Sequence, residues 1–243
     1  TILAPLAGAI TTDAKQAIVV DAETGKVLYE KNARQQMAPS SMTKVMTAYV
    51  LFNALRAGQL SMDTIYTVSE KASSRRGSTM WLERRQKVSV QDLLIGLIVV
   101  SGNDAAIALG EGFAGTEAEF AKLMNATAVA IGMVDTNFVN ASGWPDEGHY
   151  STAWDLAILG QRLISDHPDF YSYFARKSFN FNDILQNNRN PILGDELLGV
   201  DGIKTGQTDA GGYGVMISAV RDDRRVIIVL NGATSKAERK TQA

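Results

Sequence analysis

A serine and a lysine three residues apart, Ser41 and Lys44, precede an apolar run over residues 45–51. Pro39 and Ser40 come just before them and are typical of a helix start. On a helix, residues three apart share one face, so the hydroxyl and the amine would lie together. An amine beside a serine hydroxyl is one way to make a nucleophile without histidine. A serine that caps the helix next to a solvated lysine would have the same spacing. Other parts of the chain must therefore decide between a catalytic pair and a structural one.

Two further short patterns follow, Ser101-Gly102-Asn103 in a break between helical segments and Lys204-Thr205-Gly206 in a strand-like segment. Each pattern is weak by itself. With the first pair they match, in order, the Ser-x-x-Lys, Ser-x-Asn and Lys-Thr-Gly signature, and the chain therefore resembles the penicillin-recognising serine enzymes. The contexts also fit, because the three motifs fall at a helix start, an interhelical connector and a sheet strand.

Additional segments make the chain similar to one branch, the low-molecular-mass penicillin-binding proteins that are D-alanyl-D-alanine carboxypeptidases. The similarity covers roughly residues 15–232 and is carried by residues 15–18, 21–29, 143–145, 149–152, 186–190 and 200–206. Family members usually continue into a small β-rich domain and an amphipathic membrane anchor, and we expect both to be absent from this chain. Since Ser235 and Glu238 form a capping box with few residues after them, we expect that the chain has been cut.

The resemblance assigns a role to each motif. Ser41 Oγ would attack the carbonyl between two D-alanine residues, and the N–H groups of Ser41 and Gln207 would form the oxyanion hole. The family commonly has histidine in place of Gln207, a change expected to alter the rim of the site more than the chemistry. Two proton routes stay open: Lys44 is the base, or Ser101 relays the proton. Asn103 would hold either the lysine or the substrate amide.

Lys44 can act as a base only if its pKa is far below the ordinary value. Lowering the pKa from about 10.4 to 7 costs roughly 4.6 kcal/mol, and burial and a nearby Lys204 cation both act in that direction. The substrate implied by the resemblance ends in a carboxylate, for which Lys204 and Thr205 are the family's clamp. Arg189 is a further candidate because its planar fork suits a carboxylate. Gly206 leaves room for a substrate along the strand edge.

The predicted function is a serine D,D-carboxypeptidase that removes the terminal D-alanine from peptidoglycan stem peptides and is acylated by β-lactam antibiotics. A D,D-endopeptidase acting on cross-links and a β-lactam-binding sensor that does not turn over are the alternatives. A class A β-lactamase is disfavoured because no Glu-x-x-Leu-Asn segment is found. Neither histidine, His149 or His167, adjoins a Gly-x-Ser-x-Gly elbow. No cofactor or metal is expected, since no motif for one is found.

Composition and charge exclude other classes of protein. A formal net charge of -2 gives no reason to expect nucleic acid as a partner, and no apolar run approaches the roughly 18 residues of a membrane span. The absence of cysteine excludes disulfides and thiol chemistry. Residues 1–9 are either the tail of a secretory signal cleaved near Ala9 or an apolar arm. Export to the periplasm or the outer face of the cytoplasmic membrane is expected, with membrane attachment only through the missing anchor.

Capping patterns at Ser89, Thr116, Thr152 and Ser235 predict four helix starts. A helix that begins at Asp104 is expected to end near Gly110, residues 61–81 are expected to be loop-rich, and residues 140–145 are expected to form an irregular loop. Apolar strands are predicted for residues 215–220 and 225–230, joined by a short turn.

Strand-like segments lie near both chain ends and helical segments lie between them. This order predicts an α/β protein of α+β type, with a mainly antiparallel central sheet formed by residues of about 15–40 and 200–243. Flanking helices and an inserted helical subdomain of about 41–199 would complete a fold like that of the serine β-lactamases and penicillin-binding proteins. Residues 1–14 would form an N-terminal arm and residues 15–243 a catalytic domain.

Overall fold

The computed structural model describes residues 10–243, so the signal-peptide tail predicted for residues 1–9 lies outside the described residues. The helices are α1 (Lys44–Arg56), α2 (Glu70–Ser73), α3 (Val90–Ile95), α4 (Asn103–Ala114), α5 (Glu117–Ile131), α6 (Ala153–Asp166), α7 (Pro168–Tyr171) and α8 (Lys236–Gln242). The strands are β1 (Gln16–Asp21), β2 (Val27–Lys31), β3 (Ile65–Thr67), β4 (Lys87–Ser89), β5 (Ser178–Phe181), β6 (Ile184–Asn187), β7 (Val200–Thr208), β8 (Gly212–Arg221) and β9 (Arg224–Ala233).

The main sheet is assembled from both ends of the chain. Its strand order is β2-β1-β9-β8-β7, and all neighbouring strands are antiparallel. Strand β1 of the N-terminal hairpin pairs with β9, so that Gln16 lies opposite Asn231 and Asp21 lies opposite Val226. Strands β3–β4 and β5–β6 form two small sheets. The predicted α+β fold, with an antiparallel sheet made from both chain ends, is confirmed.

Most helix starts follow the capping patterns of the sequence. The side chains of Ser89, Thr116, Thr152 and Ser235 each accept a hydrogen bond from the backbone N–H three residues later. These bonds satisfy N–H groups that have no partner inside the helix, and they involve only neighbouring residues. For this reason the starts of α3, α5, α6 and α8 could be predicted from short stretches of sequence.

Three segments differ from the prediction. The first predicted helix begins as a 3-10 turn, Ser40–Thr43, and becomes α-helical only at Lys44. Helix α4 continues to Ala114 and does not end near Gly110. Residues 61–81, predicted to be loop-rich, include β3 and α2.

Helix α1 forms the centre of the molecule. It is buried without interruption from Lys44 to Phe52, as expected for a helix surrounded by the core on all sides. The hydrophobic core extends from α1 to the helices of the inserted region and to the inner face of the sheet. Lys44 therefore lies where a rigid apolar helix begins. Within residues 10–243, no helix has the length and apolarity required to cross a membrane.

Candidate active site

Ser41 lies on the 3-10 turn at the wall of a cleft of about 690 Å³. In a 3-10 helix, side chains three residues apart are eclipsed. Lys44 follows Ser41 at this spacing, and its Nζ lies 2.8 Å from Ser41 Oγ. The predicted juxtaposition is present, although a 3-10 turn and not an α-helical turn produces it.

The amine of Lys44 has three oxygen neighbours. Nζ lies 2.8 Å from Ser41 Oγ, 2.7 Å from Asn103 Oδ1 and 2.6 Å from the backbone oxygen of Ser142. The side chain is only 1% exposed. The pKa of Lys44 is held well below its ordinary value, mainly by burial and to a smaller extent by the positive charge of Lys204. The negative charge of Asp104 acts in the opposite direction. The two causes proposed from the sequence are therefore both present.

Asn103 uses both ends of its side-chain amide within the protein. Its Oδ1 accepts from Lys44, and its Nδ2 donates to the backbone oxygen of Arg76 at 2.9 Å. Of the two roles considered for Asn103, this geometry matches the one of holding the lysine. Ser101 is buried in a left-handed conformation (φ 65°) and lines the same cleft. Among the described residues, no hydrogen bond joins Ser101 to Lys44.

The third motif lies on β7, at the edge of the main sheet formed by the described residues. Thr205, Gly206 and Gln207 line the cleft, and Lys204 is buried next to it. The pKa of Lys204 is lowered to about 7, mainly by burial and to a smaller extent by the positive charges of Arg189 and Arg239. A side chain in place of Gly206 would put its Cβ 3.0 Å from the backbone oxygen of Pro39. Glycine at this position therefore avoids a tight contact with the segment that leads into the nucleophile turn.

Two arginines complete the cationic side of the cleft. Arg189, a candidate from the sequence, lines the cleft and donates from Nε to the backbone oxygen of Val100 at 3.4 Å. Arg239 of α8 was missed by the sequence interpretation. It is 6% exposed, and its Nε has no hydrogen-bond partner in the part of the chain that the structure describes. The capping box at Ser235 predicted the helix that carries Arg239, but nothing local indicated that the helix faces the cleft.

The loop 140–144 was predicted only as irregular, yet it supplies one of the acceptors of Lys44. Asn140 Oδ1 accepts from the N–H groups of Ser142, Gly143 and Trp144 and so folds the loop into a tight turn. This turn presents the Ser142 carbonyl to the lysine. An Asn followed by Ser and Gly is the available signal for such a turn.

The opposite wall of the cleft is held by Asp104, the residue after the second motif. Its buried carboxylate accepts from the N–H groups of Met80 and Leu82, each at 3.1 Å. Trp81 lies between these anchored residues, has a φ of 66° and is exposed in the cleft wall. Asp104 thereby fixes the position of the aromatic wall opposite β7. Within residues 10–243, no group of three or more His, Cys, Asp or Glu side chains is arranged to hold a metal ion.

Comparison with known proteins identifies close similarities over nearly the whole chain. The profile of one family, described as D-alanyl-D-alanine carboxypeptidase (peptidase family S11), matches residues 4–235. The D-alanyl-D-alanine carboxypeptidase DacC of Escherichia coli is 42% identical over 229 residues, which are 92% of this chain and 57% of that protein. The first curated relatives are matched over 57–61% of their length, so the chain spans about three fifths of them.

Solved structures share the fold. The D-alanyl-D-alanine carboxypeptidase DacD of Francisella tularensis superimposes with a TM-score of 0.94 at 36% identity, over 100% of this chain and 70% of that one. Penicillin-binding protein D2 of Listeria monocytogenes, solved in an ampicillin-bound form, has a TM-score of 0.87 at 32% identity, over 96% of this chain and 95% of that one.

Proposed function

Because the chain belongs to the D-alanyl-D-alanine carboxypeptidases of peptidase family S11, we propose that it removes the terminal D-alanine from peptidoglycan stem peptides through an acyl-enzyme on Ser41. The observation that carries this proposal is the arrangement of oxygen atoms around the Lys44 amine. Two of them, Asn103 Oδ1 and the Ser142 carbonyl oxygen, can only accept hydrogen bonds. The third belongs to the Ser41 hydroxyl, which can also donate.

A neutral lysine amine has two hydrogens and one lone pair. In this site the two hydrogens are directed to Asn103 Oδ1 and to the Ser142 carbonyl, so the lone pair is directed to the Ser41 hydroxyl. The pKa of Lys44, lowered by burial and by Lys204, makes this neutral form accessible. Lys44 is therefore assigned as the base that takes the Ser41 proton, in agreement with the first of the two routes considered from the sequence.

The proposed reaction uses this geometry. Ser41 Oγ attacks the carbonyl carbon of the penultimate D-alanine while its proton passes to Lys44. The oxyanion is assigned to the N–H groups of Ser41 and Gln207. The proton then passes to the leaving D-alanine nitrogen as the C–N bond breaks, and water hydrolyses the ester. A β-lactam ring opened by the same attack would leave a comparable ester on Ser41, so β-lactam antibiotics are proposed as inhibitory ligands.

The free carboxylate of the substrate is assigned to the cationic side of the cleft, with Thr205 as a hydroxyl donor. Lys204, Arg189 and Arg239 supply the positive charge, and the charges of both arginines lower the pKa of Lys204. The mutual repulsion of these cations is reduced when an anion binds between them. This arrangement favours a peptide with a free C-terminus over one that is blocked.

The affinity for such a peptide should decrease as the pH rises through about 7, the lowered pKa of Lys204. Lys204 is cationic below this pH and neutral above it, whereas the arginine guanidinium group in general stays cationic in proteins. We therefore expect the KM for diacyl-Lys-D-Ala-D-Ala to increase above neutral pH. In a Lys204→Gln variant the KM should be higher and independent of pH across this range. An equal pH-dependent increase in the variant would contradict the assignment.

Removal of the unpartnered arginine should weaken substrate binding. We expect Arg239→Met to raise the KM for the same peptide about 10-fold or more, because a hydrogen bond to a charged group is lost. Arg239→Lys should retain part of the affinity, since the charge remains. The matched control is Arg221→Met, which removes an exposed arginine on the far end of β8. An unchanged KM for Arg239→Met would place this residue outside the substrate site.

The location and the domain division remain proposals that follow from the family. We propose an exported enzyme that acts on peptidoglycan in the periplasm or at the outer face of the cytoplasmic membrane. Residues 15–243 are proposed to be the catalytic domain. The carboxypeptidase activity of the whole protein is also a proposal. The curated relatives contain further segments that this chain does not match, and any contribution of such segments to activity is part of that proposal.

The proposal is tested by incubating the protein with diacyl-Lys-D-Ala-D-Ala and measuring free D-alanine. We expect repeated turnover in the unmodified protein and none in Ser41→Ala, which should also lose covalent labelling by a fluorescent penicillin. Stoichiometric labelling without release of D-alanine would overturn the carboxypeptidase in favour of a sensor. Release only from cross-linked peptide dimers would overturn it in favour of an endopeptidase.

A further inference from the structure

His149 is a buried titratable residue that the proposed reaction does not use. It is 5% exposed and packs edge-on against Phe138, with the ring centres 5.6 Å apart. Its two ring nitrogens contact two segments of the active site that are distant in sequence. Nδ1 lies 3.0 Å from the backbone nitrogen of Val139, and Nε2 lies 2.8 Å from Thr43 Oγ1.

These two contacts determine the tautomer of the ring. The backbone N–H of Val139 can only donate, so Nδ1 must accept and cannot carry a hydrogen. The neutral ring therefore carries its hydrogen on Nε2, which donates to Thr43 Oγ1. A second proton on the ring would place an N–H on Nδ1, facing the N–H of Val139. The hydrogen bond between Val139 and His149 would then be lost.

The charges around the ring are consistent with a neutral histidine. Burial lowers the pKa of His149 to about 4. Among the nearby charged groups, Lys44 of α1 also lowers the pKa of His149. Asp146, three residues before His149, and Glu117 of α5 raise it. The ring is thus neutral at neutral pH.

Both partners of His149 belong to the machinery around the nucleophile. Thr43 is the last residue of the 3-10 turn that carries Ser41, and the next residue is Lys44. Val139 immediately precedes the loop 140–144, whose Ser142 carbonyl accepts from the Lys44 amine at 2.6 Å. His149 is therefore a bridge between the turn that holds the nucleophile and the loop that orients its base.

We propose that His149 is a positioning residue, which in its Nε2–H tautomer fixes the distance between the nucleophile turn and the Ser142 carbonyl and so keeps the lone pair of Lys44 directed at Ser41. Without the bridge, the loop loses one of the contacts that hold the Ser142 carbonyl near the amine. The hydrogen bonds of Thr47 and Glu117 to the backbone of Ala141 remain. The carbonyl can then shift relative to the amine, and one hydrogen of the amine has a weaker acceptor. The amine can then rotate, and its lone pair is no longer held toward the hydroxyl. This inference rests on the proposed role of Lys44 as the base.

Nitrogen NMR of histidine-labelled protein at neutral pH tests the tautomer without any measurement of activity. We expect one histidine with its hydrogen on Nε2 and with no titration between pH 5 and 8, and its signal should disappear in His149→Gln. The second histidine, His167, serves as the internal reference. A hydrogen on Nδ1 of His149, or titration near the ordinary pKa of about 6.5, would overturn the proposal even if the enzyme turns over as expected.

Acylation kinetics test the consequence. His149→Leu should lower the rate of acylation by a fluorescent penicillin about 100-fold, because small displacements of reacting groups have effects of this size. The dissociation constant of the preceding non-covalent complex should stay the same. His149→Gln should restore most of the rate, since its amide presents an acceptor and a donor to the same two partners. A leucine variant that acylates at the original rate, or a glutamine variant no faster than the leucine variant, would contradict the proposal.

Thr43→Val provides a second test if the leucine variant does not fold. Valine has a similar shape but removes the oxygen that accepts from Nε2. We expect a similar loss of the acylation rate in this single variant. If His149→Leu folds, the double variant should lose little more than either single variant. Independent, multiplicative losses would show that the two side chains do not act through one bridge. Thermal unfolding of each variant separates these effects from a loss of folded protein.

Discussion

Replacement of Lys44 with methionine should reduce the rate of acylation by penicillin about 1000-fold. Methionine fills the space of the aliphatic part of this buried side chain but cannot take the proton of Ser41, and general bases typically contribute factors of this order. The measurement is the second-order rate constant for labelling by a fluorescent penicillin. The matched control is Lys122→Met, which removes an exposed lysine from the surface of α5. Labelling of Lys44→Met at the original rate would exclude Lys44 as the base and would favour the relay through Ser101.

The same substitution should change how stability depends on pH. The pKa of Lys44 in the folded protein is well below its ordinary value of 10.5, so the unfolded chain binds more protons between these two values. The contribution of Lys44 to the free energy of unfolding is therefore most favourable above pH 10.5, and it decreases as the pH falls toward the lowered pKa. Consequently, the difference in unfolding free energy between Lys44→Met and the original protein should change in favour of the variant as the pH falls. A difference that is constant over this range would mean that the pKa of Lys44 is not lowered by folding.

How far the sequence predicts the structure depends on the distance over which each interaction acts. The starts of α3, α5, α6 and α8 were predicted correctly because each cap joins residues three positions apart. The antiparallel sheet was also predicted, since β8 and β9 are apolar strands with a short turn. In these cases the local pattern already contains the physical cause.

The environment of the nucleophile was predicted only in part. The three motifs could be recognised, but the Ser142 carbonyl approaches Lys44 from 98 residues away, and His149 approaches Thr43 from 106 residues away. Nothing in a short stretch marks a backbone carbonyl as the acceptor of a distant amine. Arg239 was missed for the same reason, because its role depends on where α8 lies relative to β7.

The 3-10 turn at the nucleophile is also in contact with a segment that is distant in the sequence. The sequence around Ser41 predicts an ordinary helix start, yet the loop 140–144 packs directly against this turn. Gly143 has a φ of 78°, and a Cβ at this position would lie only 1.7 Å from the backbone oxygen of Ser40. The turn and the loop therefore fit together only because this residue has no side chain.

Gly143→Ala should for this reason have a large effect on both stability and acylation. The left-handed backbone alone costs about 1–2 kcal/mol for a residue with a Cβ, and the contact with Ser40 adds a further ~1–3 kcal/mol as the turn is displaced. Because Ser41 follows Ser40 directly, the displacement should also move the nucleophile, and we expect acylation to fall about 100-fold. Denaturant unfolding and the labelling rate by fluorescent penicillin measure the two effects separately.

Gly132→Ala is the matched control, since it has a left-handed backbone without the contact. Its φ is 93° and its ψ is 16°, and a Cβ there would meet no atom within 4 Å. This variant should show the cost of the left-handed backbone and should acylate at the original rate. Subtraction of its unfolding free energy from that of Gly143→Ala isolates the cost of moving the loop against the nucleophile turn. Equal unfolding free energies of the two variants, or an unchanged labelling rate in Gly143→Ala, would contradict this expectation. The loop would then move without displacing Ser41, and the close approach would not position the nucleophile.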